Sequence, residues 1–338
     1  MHRTLIRLAA LSFVCFAVSA RAVEPPPDNP SGALPNVEIA TLGGKQFWSD
    51  ELHFHRWRIQ RNTFTGHCRL LDGAEHRHAR GTYEACLAKL DEIKQVRKLP
   101  PMKGKGVIVL HGLFRSPGSM TSLCNHLETS GEYTTFNLSY PSTQGDVAAH
   151  AAALGRVVKR LEGIEEIHLI GHSLGNIVVR HYLADETDPA AGRKPDPRIR
   201  RIVMLAPPNH GSQVAEKFGG VKPIVWVAGQ SLEMLGPKWK ALEPRLATPA
   251  CEFGILTGGR GDADGYNPLL AGDDDGTVAV ESARLAGARD FRRLPVLHSF
   301  IMDDKQVREA TLRFLKHGHF ESEEKRQPIL ADDAKQAE

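Results

Sequence analysis

The pentapeptide Gly171-His172-Ser173-Leu174-Gly175 halts an apolar run and sets a serine between two glycines. Apolar residues precede it in IHLIG, and LGNIVVRHYLA after it has the spacing of a helix. The G-x-S-x-G pattern in that context predicts a serine on a sharp strand-to-helix turn, its hydroxyl exposed and the flanking glycines keeping other side chains clear. A serine that merely caps the following helix is the alternative, and the strand before the motif argues against it. A serine hydroxyl becomes a competent nucleophile only when a base takes its proton and an acid orients that base. Downstream stand the bases His181, His210, His298, His317 and His319. Carboxylates cluster in GDDDGTVAVES, with Asp273, Asp274 and Asp275, and in GGRGDADGYNP, with Asp262 and Asp264.

These groups need a scaffold. From Gly104 onward short apolar stretches alternate with amphipathic ones: KGVIVL, SMTSLCNHLETSG, YTTFNLSY, AAHAAALGRVVKRLEG, IEEIHLIG, RIRRIVMLAP, EFGILTGG and a last helix in DKQVREATLRFLKHG. Strands alternating with helices predict parallel crossovers, hence an α/β, doubly wound and mostly parallel sheet. Residues 47–103 form an N-terminal accessory segment, with strand alternation in FWSDELHFHRWRIQRN and helical spacing in GTYEACLAKLDEIKQVRKL before Pro100 and Pro101. Residues 104–318 are the main domain, with a cap or lid insertion at about 207–250 in which Val221, Ile224, Val225, Val227, Leu232 and Leu235 line an acyl cleft or pack as core. Residues 319–338 read as a solvated, disordered tail.

Several stretches in chain order, VIVLHGLFRS, SYPST, IGHSLGN, LAPPNHGS, DDDGTVAV and VLHSFIM, resemble the α/β-hydrolase family and its lipase/esterase-like branch. The resemblance covers about residues 104–318 and implies the α/β-hydrolase fold, with a serine, acid, histidine order of catalytic residues. Under that order His181 lies too near the serine, His210 precedes any suitable acid, and His317 and His319 fall at the end of the last helix, so His298 is the implied base. The family's D-G-x-V pattern implies Asp275 as the acid, with Asp262 and Asp264 as runners-up. The backbone N–H groups of Leu113, after His111-Gly112, and Leu174, after the serine, are the implied oxyanion hole. Asn176 stands where many relatives carry glycine, a departure expected to leave the serine unaffected.

The remaining composition bounds the reading. The chain has 338 residues, 41% hydrophobic and 25% charged, and a net charge of +3 too small to argue for nucleic acid as a partner. Arg3 and Arg7, an apolar stretch over residues 8–18, then Ala20 and Ala22 predict a signal peptide over residues 1–22 and an exported protein, periplasmic or secreted. That stretch of about 11 residues is short of the roughly 20 a membrane span needs. A Pro- and Gly-rich linker follows over residues 23–46. Removal of Cys15 leaves Cys68, Cys86, Cys124 and Cys251, for which a Cys68–Cys86 disulfide and four buried free thiols are the two readings. The pairs His53/His55 and His76/His78 lack a third ligand at metal spacing, and DADG lacks the later ligands of a calcium loop, so neither metal nor cofactor is expected. The function implied is hydrolysis of carboxylic esters, small-molecule or lipid, the latter with transient contact at a membrane surface. Acyl transfer or thioester cleavage by the same triad, and a non-catalytic envelope binding module on the same fold, are the alternatives.

Overall fold

In a computed structural model of the chain, the residues described are 39–40, 47–187, 194–218 and 230–330. The expected signal peptide, most of the linker, the cap residues Val221, Ile224, Val225 and Val227, and residues 331–338 lie outside them.

Six strands, β6 (Lys105–Leu110), β7 (Tyr133–Leu138), β8 (Glu166–His172), β9 (Ile199–Leu205), β10 (Glu252–Gly258) and β11 (Asp290–Leu294), form one sheet in the order β11-β10-β9-β8-β6-β7. Every pairing in it is parallel. Runs such as Val107, Ile108, Val109 and Leu110 are fully buried, as strands covered on both faces must be. One face packs against α3 (Val147–Lys159) and α4 (Leu174–Glu186), the other against α2 (Thr121–Thr129) and the last helix, Lys305–His317. Local chemistry fixes the helix ends. Asp146 and Asp304 accept the N–H groups of Ala149 and Val307 at two N-termini, and Gly318, with φ of 80°, closes the last helix.

The accessory segment is a second sheet, antiparallel, in the order β1-β5-β4-β3-β2: β1 (Ile39–Ala40), β2 (Trp48–Phe54), β3 (Trp57–Asn62), β4 (Cys68–Leu71) and β5 (His76–Gly81). Helix α1 (Tyr83–Val96), capped by Thr82, covers it. The two sheets are joined through polar groups as well as core. Glu51 is fully buried, and its carboxylate accepts Arg61 Nε at 3.1 Å, Arg156 Nε at 2.8 Å and an Arg160 terminal nitrogen at 2.9 Å. Two of those arginines sit on or at the end of α3, so this cluster, a buried carboxylate met by three partly exposed arginines, clamps β2 to the main domain.

Two expectations need correction. The cysteines are free, with Cys68, Cys86 and Cys124 buried and Cys251 half-buried; burial pushes the Cys86 thiol up to about 12. The free-thiol reading therefore holds, and the Cys68–Cys86 bridge is not formed. Residues 319–330, expected as a solvated tail, lie along β11. Phe320 and Ile329 are buried, Phe291 N donates to Gln327 O, and Asp290 accepts the N–H groups of Phe320 and Gln327. Two apolar residues in an otherwise charged stretch suffice to anchor it, a signal that mean composition hides.

Candidate active site

The site forms where parallel strands end. Leu110 of β6 is in register with Gly171 of β8, so the turn after β6 and the turn after β8 leave the sheet side by side at its C-terminal edge, where open α/β sheets place their ligands. The segments after β10 and β11 emerge along the same edge.

Ser173 lies on a strained backbone, with φ of 52° and ψ of −120°, between the end of β8 and the first residue of α4. A non-glycine residue held there signals a turn that its surroundings over-determine. Those surroundings are visible: Ser173 N donates to Leu205 O at 3.0 Å, and Asn176 donates through its side-chain nitrogen to Ser173 O at 3.2 Å and Leu205 O at 3.0 Å. Asn176 thus braces the serine turn, contrary to the expectation that the residue there is indifferent. Gly175 admits no side chain, since a Cβ would sit 2.8 Å from Leu110 O.

Asp275 meets His298 in two ways. Its Oδ2 lies 2.7 Å from His298 Nδ1, and its backbone oxygen accepts His298 N–H at 2.8 Å. The other carboxylate oxygen, Oδ1, accepts the N–H groups of Thr277 and Val278 at 3.0 and 2.8 Å. Asp275 and His298 are both buried. Gly258 at the end of β10 makes room for both segments, because a Cβ there would lie 2.1 Å from Val296 O and 2.7 Å from Asp275 Cβ. The neighbouring aspartates serve the loop instead. Asp273 accepts the N–H groups of Arg260 and Gly261, Asp274 those of Asn267 and Gly276, and Asp262 those of Asp264 and Gly265.

Ser173 and His298 are linked through His172, whose Nε2 lies 3.1 Å from His298 O and whose ring centroid is 4.9 Å from that of His298. No direct hydrogen bond joins Ser173 to His298 among the described residues. Burial, then His298 and Arg115, hold the His172 imidazole well below its ordinary value, so it is neutral. Facing a carbonyl, Nε2 must carry the proton.

Leu113 sits in the turn closed by Arg115 N–H to Gly112 O at 3.2 Å, with Phe114 at φ of 59°. This turn abuts the serine: a Cβ on Gly112 would lie 2.9 Å from His172 Nδ1 and 3.1 Å from Ser173 Cβ. Leu174 opens α4, where the first N–H groups have no acceptor within the helix. His111 is buried, its Nδ1 bonded to Gly112 O at 2.9 Å, and burial lowers it to about 4.

The rim is apolar. Phe114, Leu297 and Phe300 are all exposed, Phe300 to 60%. They flank Leu113 and His298 in sequence, and Arg115 ties their two segments together by donating to Ser299 O at 3.1 Å. Tyr266, also exposed, lies beside Leu297 across Gly276. In the described part of the cap, Leu235, Trp239 and Leu242 are buried against the main core.

The histidine pairs of the accessory sheet are occupied. His53 bonds Asp50, His55 bonds Pro100 O, and His76 and His78 face Asp72. Among the described residues no group of three or more His, Cys, Asp or Glu is placed to hold a metal ion.

The model of a family described as "Alpha/beta hydrolase family" matches residues 107–326. A comparison with curated proteins gives no match. Among solved structures, a lipase of Bacillus licheniformis in its mature form aligns at 18% identity and a TM-score of 0.47, over 64% of this chain and 94% of that one. A metagenomic carboxyl esterase aligns at 19% identity and 0.42, over 59% and 66%. A phospholipase of Legionella pneumophila aligns at 21% identity and 0.39, over 53% of this chain and under half, 45%, of its own length.

Proposed function

The chain belongs to the α/β hydrolase family, and from that premise we propose that it is an exported serine hydrolase that cleaves carboxylic esters, acyl or lipid esters among them, through an acyl-enzyme on Ser173. The observation that carries the proposal is the doubly bonded Asp275–His298 pair beside a serine on a strained strand-to-helix turn. In the proposed reaction Ser173 Oγ attacks the ester carbonyl carbon while His298 Nε2 takes its proton. Asp275 holds Nδ1–H and stabilises the imidazolium that forms. The N–H groups of Leu113 and Leu174 stabilise the oxyanion, each worth about 3–4 kcal/mol of barrier in comparable sites. His298 then returns the proton to the leaving alcohol, and a water deprotonated by the same ring releases the acid and restores the serine.

The exposed apolar side chains of Phe114, Leu297 and Phe300 support acyl or lipid esters over small polar ones, and support transient contact with a membrane surface. Export rests on the order of charge, short apolar stretch and small residues in the first 22 residues. Incubation with a fluorophosphonate probe tests the chemistry. The parent protein is expected to be labelled and Ser173→Ala not, and equal labelling of the two, or none of either, would overturn the proposal. Turnover of p-nitrophenyl esters of increasing chain length then reads the acyl preference.

A further inference from the structure

The accessory sheet reaches the oxyanion turn through an unbroken set of buried contacts. Asp50, on β2, is fully buried. Its backbone N–H donates to Ser139 O at 2.8 Å, and its carboxylate Oδ2 accepts Ser139 N–H at 2.7 Å, so β2 and the segment after β7 are bonded in both directions. The same carboxylate accepts His53 Nε2 at 2.9 Å and Gln60 Nε2 at 2.7 Å, while Gln60 Oε1 accepts two nitrogens of Arg69. Burial alone would lift the Asp50 carboxyl, but His53, Arg58 and the Ser139 N–H outweigh it and hold the group charged. The residue after Ser139 is Tyr140. Its ring stacks on His111, with centroids 4.3 Å apart and planes 11° apart, and its hydroxyl donates to His111 O. That carbonyl belongs to the peptide leading into Gly112, and the N–H assigned to the oxyanion hole follows one peptide later, at Leu113.

We propose that Tyr140 is a positioning residue for ester cleavage, its hydroxyl fixing the His111 carbonyl and so the aim of the Leu113 N–H, with Asp50 of the accessory sheet locking Tyr140 in place. This rests on the hydrolase reading above. A hole built from backbone N–H groups works only if those groups are already aimed where charge develops, and the turn that carries Leu113 has no other hydrogen bond from a side chain of the accessory sheet or of the segment after β7 among the described residues. Among the described residues the Tyr140 hydroxyl, together with the stack of its ring on His111, links the segment bonded to the accessory sheet with that loop. Burial raises the Tyr140 phenol far above its ordinary value, so it keeps its proton and remains a donor at any working pH. The accessory sheet thereby helps to position the oxyanion turn, a role that neither its sequence nor its distance along the chain suggests.

Tyr140→Phe keeps the ring stack and deletes only the donor. In the full chain, with active sites counted by fluorophosphonate labelling, kcat per labelled site on a p-nitrophenyl ester is expected to fall about tenfold or more, as small misplacements of catalytic groups do. KM should stay within twofold. A boronic acid, whose serine adduct is tetrahedral and anionic, should lose affinity by the same factor as kcat/KM, whereas a purely structural defect would lower the labelled fraction and leave both values per site unchanged. Asp50→Asn is expected to act in the same direction by a smaller factor, about threefold, and decides the matter if Tyr140→Phe does not fold. Variants with kcat per site and boronate affinity within twofold of a labelled, active parent would overturn this inference alone. A parent that takes no label would instead remove the hydrolase reading beneath it.

Discussion

The carbonyl oxygen of His298 lies 3.1 Å from Nε2 of His172, the residue immediately before Ser173. The serine turn and the segment carrying His298, 125 positions apart in the chain, are thereby joined by a side chain of one to the backbone of the other. His172 is buried and neutral, so this contact is a donor to a carbonyl and does not depend on pH in the working range. Replacing His172 by Phe keeps the bulk and deletes the donor. The expected result is a loss of about tenfold in kcat from a loosened His298 loop, with fluorophosphonate labelling of Ser173 slowed but retained. Unchanged kcat in a folded His172→Phe protein would show that the bond does not hold the histidine in place.

Asp274 and Asp275 are adjacent, both buried, and bonded to different partners, which makes them a matched pair for separating chemistry from architecture. Asp275→Asn should preserve the fold and lower kcat by about 10⁴, because the amide no longer selects the His298 tautomer that can accept the serine proton. Asp274→Asn should leave labelling of Ser173 intact and lower stability by about 1–3 kcal/mol, since two backbone donors, Asn267 N and Gly276 N, then face a weaker acceptor. Kinetics and chemical denaturation of the two variants, side by side, check both halves.

Residue patterns that are local in sequence made the main domain legible. Five of the six strands and the helices among them were readable from their apolar runs and periodic faces, and KGVIVL corresponds to β6 residue for residue, whereas β11, with Asp290, Arg292 and Arg293 among its five residues, carries no such signal. The turn at Ser173 was readable because the glycines and the strand-helix change lie within a few positions. Tyr140, His172 and Asn176 act through contacts to backbone carbonyls far away in the chain, and no spacing rule encodes a partner such as His111 O or Leu205 O. Glu51 was hidden for a related reason: a buried carboxylate looks like a solvated one until three arginines from two layers converge on it.

Three imidazoles buried in the fold predict how stability responds to acid. Burial lowers His111, His150 and His168 to about 4, against about 6.5 in an unfolded chain, with Asp146 and Glu166 opposing the shift at the latter two. Below pH 6.5 the unfolded chain therefore binds protons that the folded chain refuses. Stability should be full above pH 6.5 and fall steadily as pH drops towards 4. A gap of that size is worth about 3 kcal/mol per ring. Denaturant midpoints measured from pH 7.5 to pH 4.5 check this, and a flat profile over that interval would mean that these rings are protonated in the folded protein. His172, also held well below its ordinary value by burial, adds a fourth such ring, so replacing His150 by Phe should flatten the slope by about a quarter.

The segment after Gly318 gives a test of how much a short, mostly charged stretch contributes. Phe320 is buried against Phe314, with ring centroids 4.9 Å apart, and Asp290 is satisfied by two backbone N–H groups from this segment. Cutting the chain after Gly318 removes the buried ring of Phe320 and the side chain of Ile329, and leaves the Asp290 carboxylate without those donors. Deletion of one large buried aromatic alone costs about 3–5 kcal/mol, so Phe320→Ala should lower Tm by about 10 °C in a domain of this size. The truncated chain should lose more, because the Asp290 contacts go with it. A stretch that was merely solvated would give no change in either protein. Differential scanning calorimetry of the parent, Phe320→Ala and the chain ending at Gly318 distinguishes the two outcomes directly.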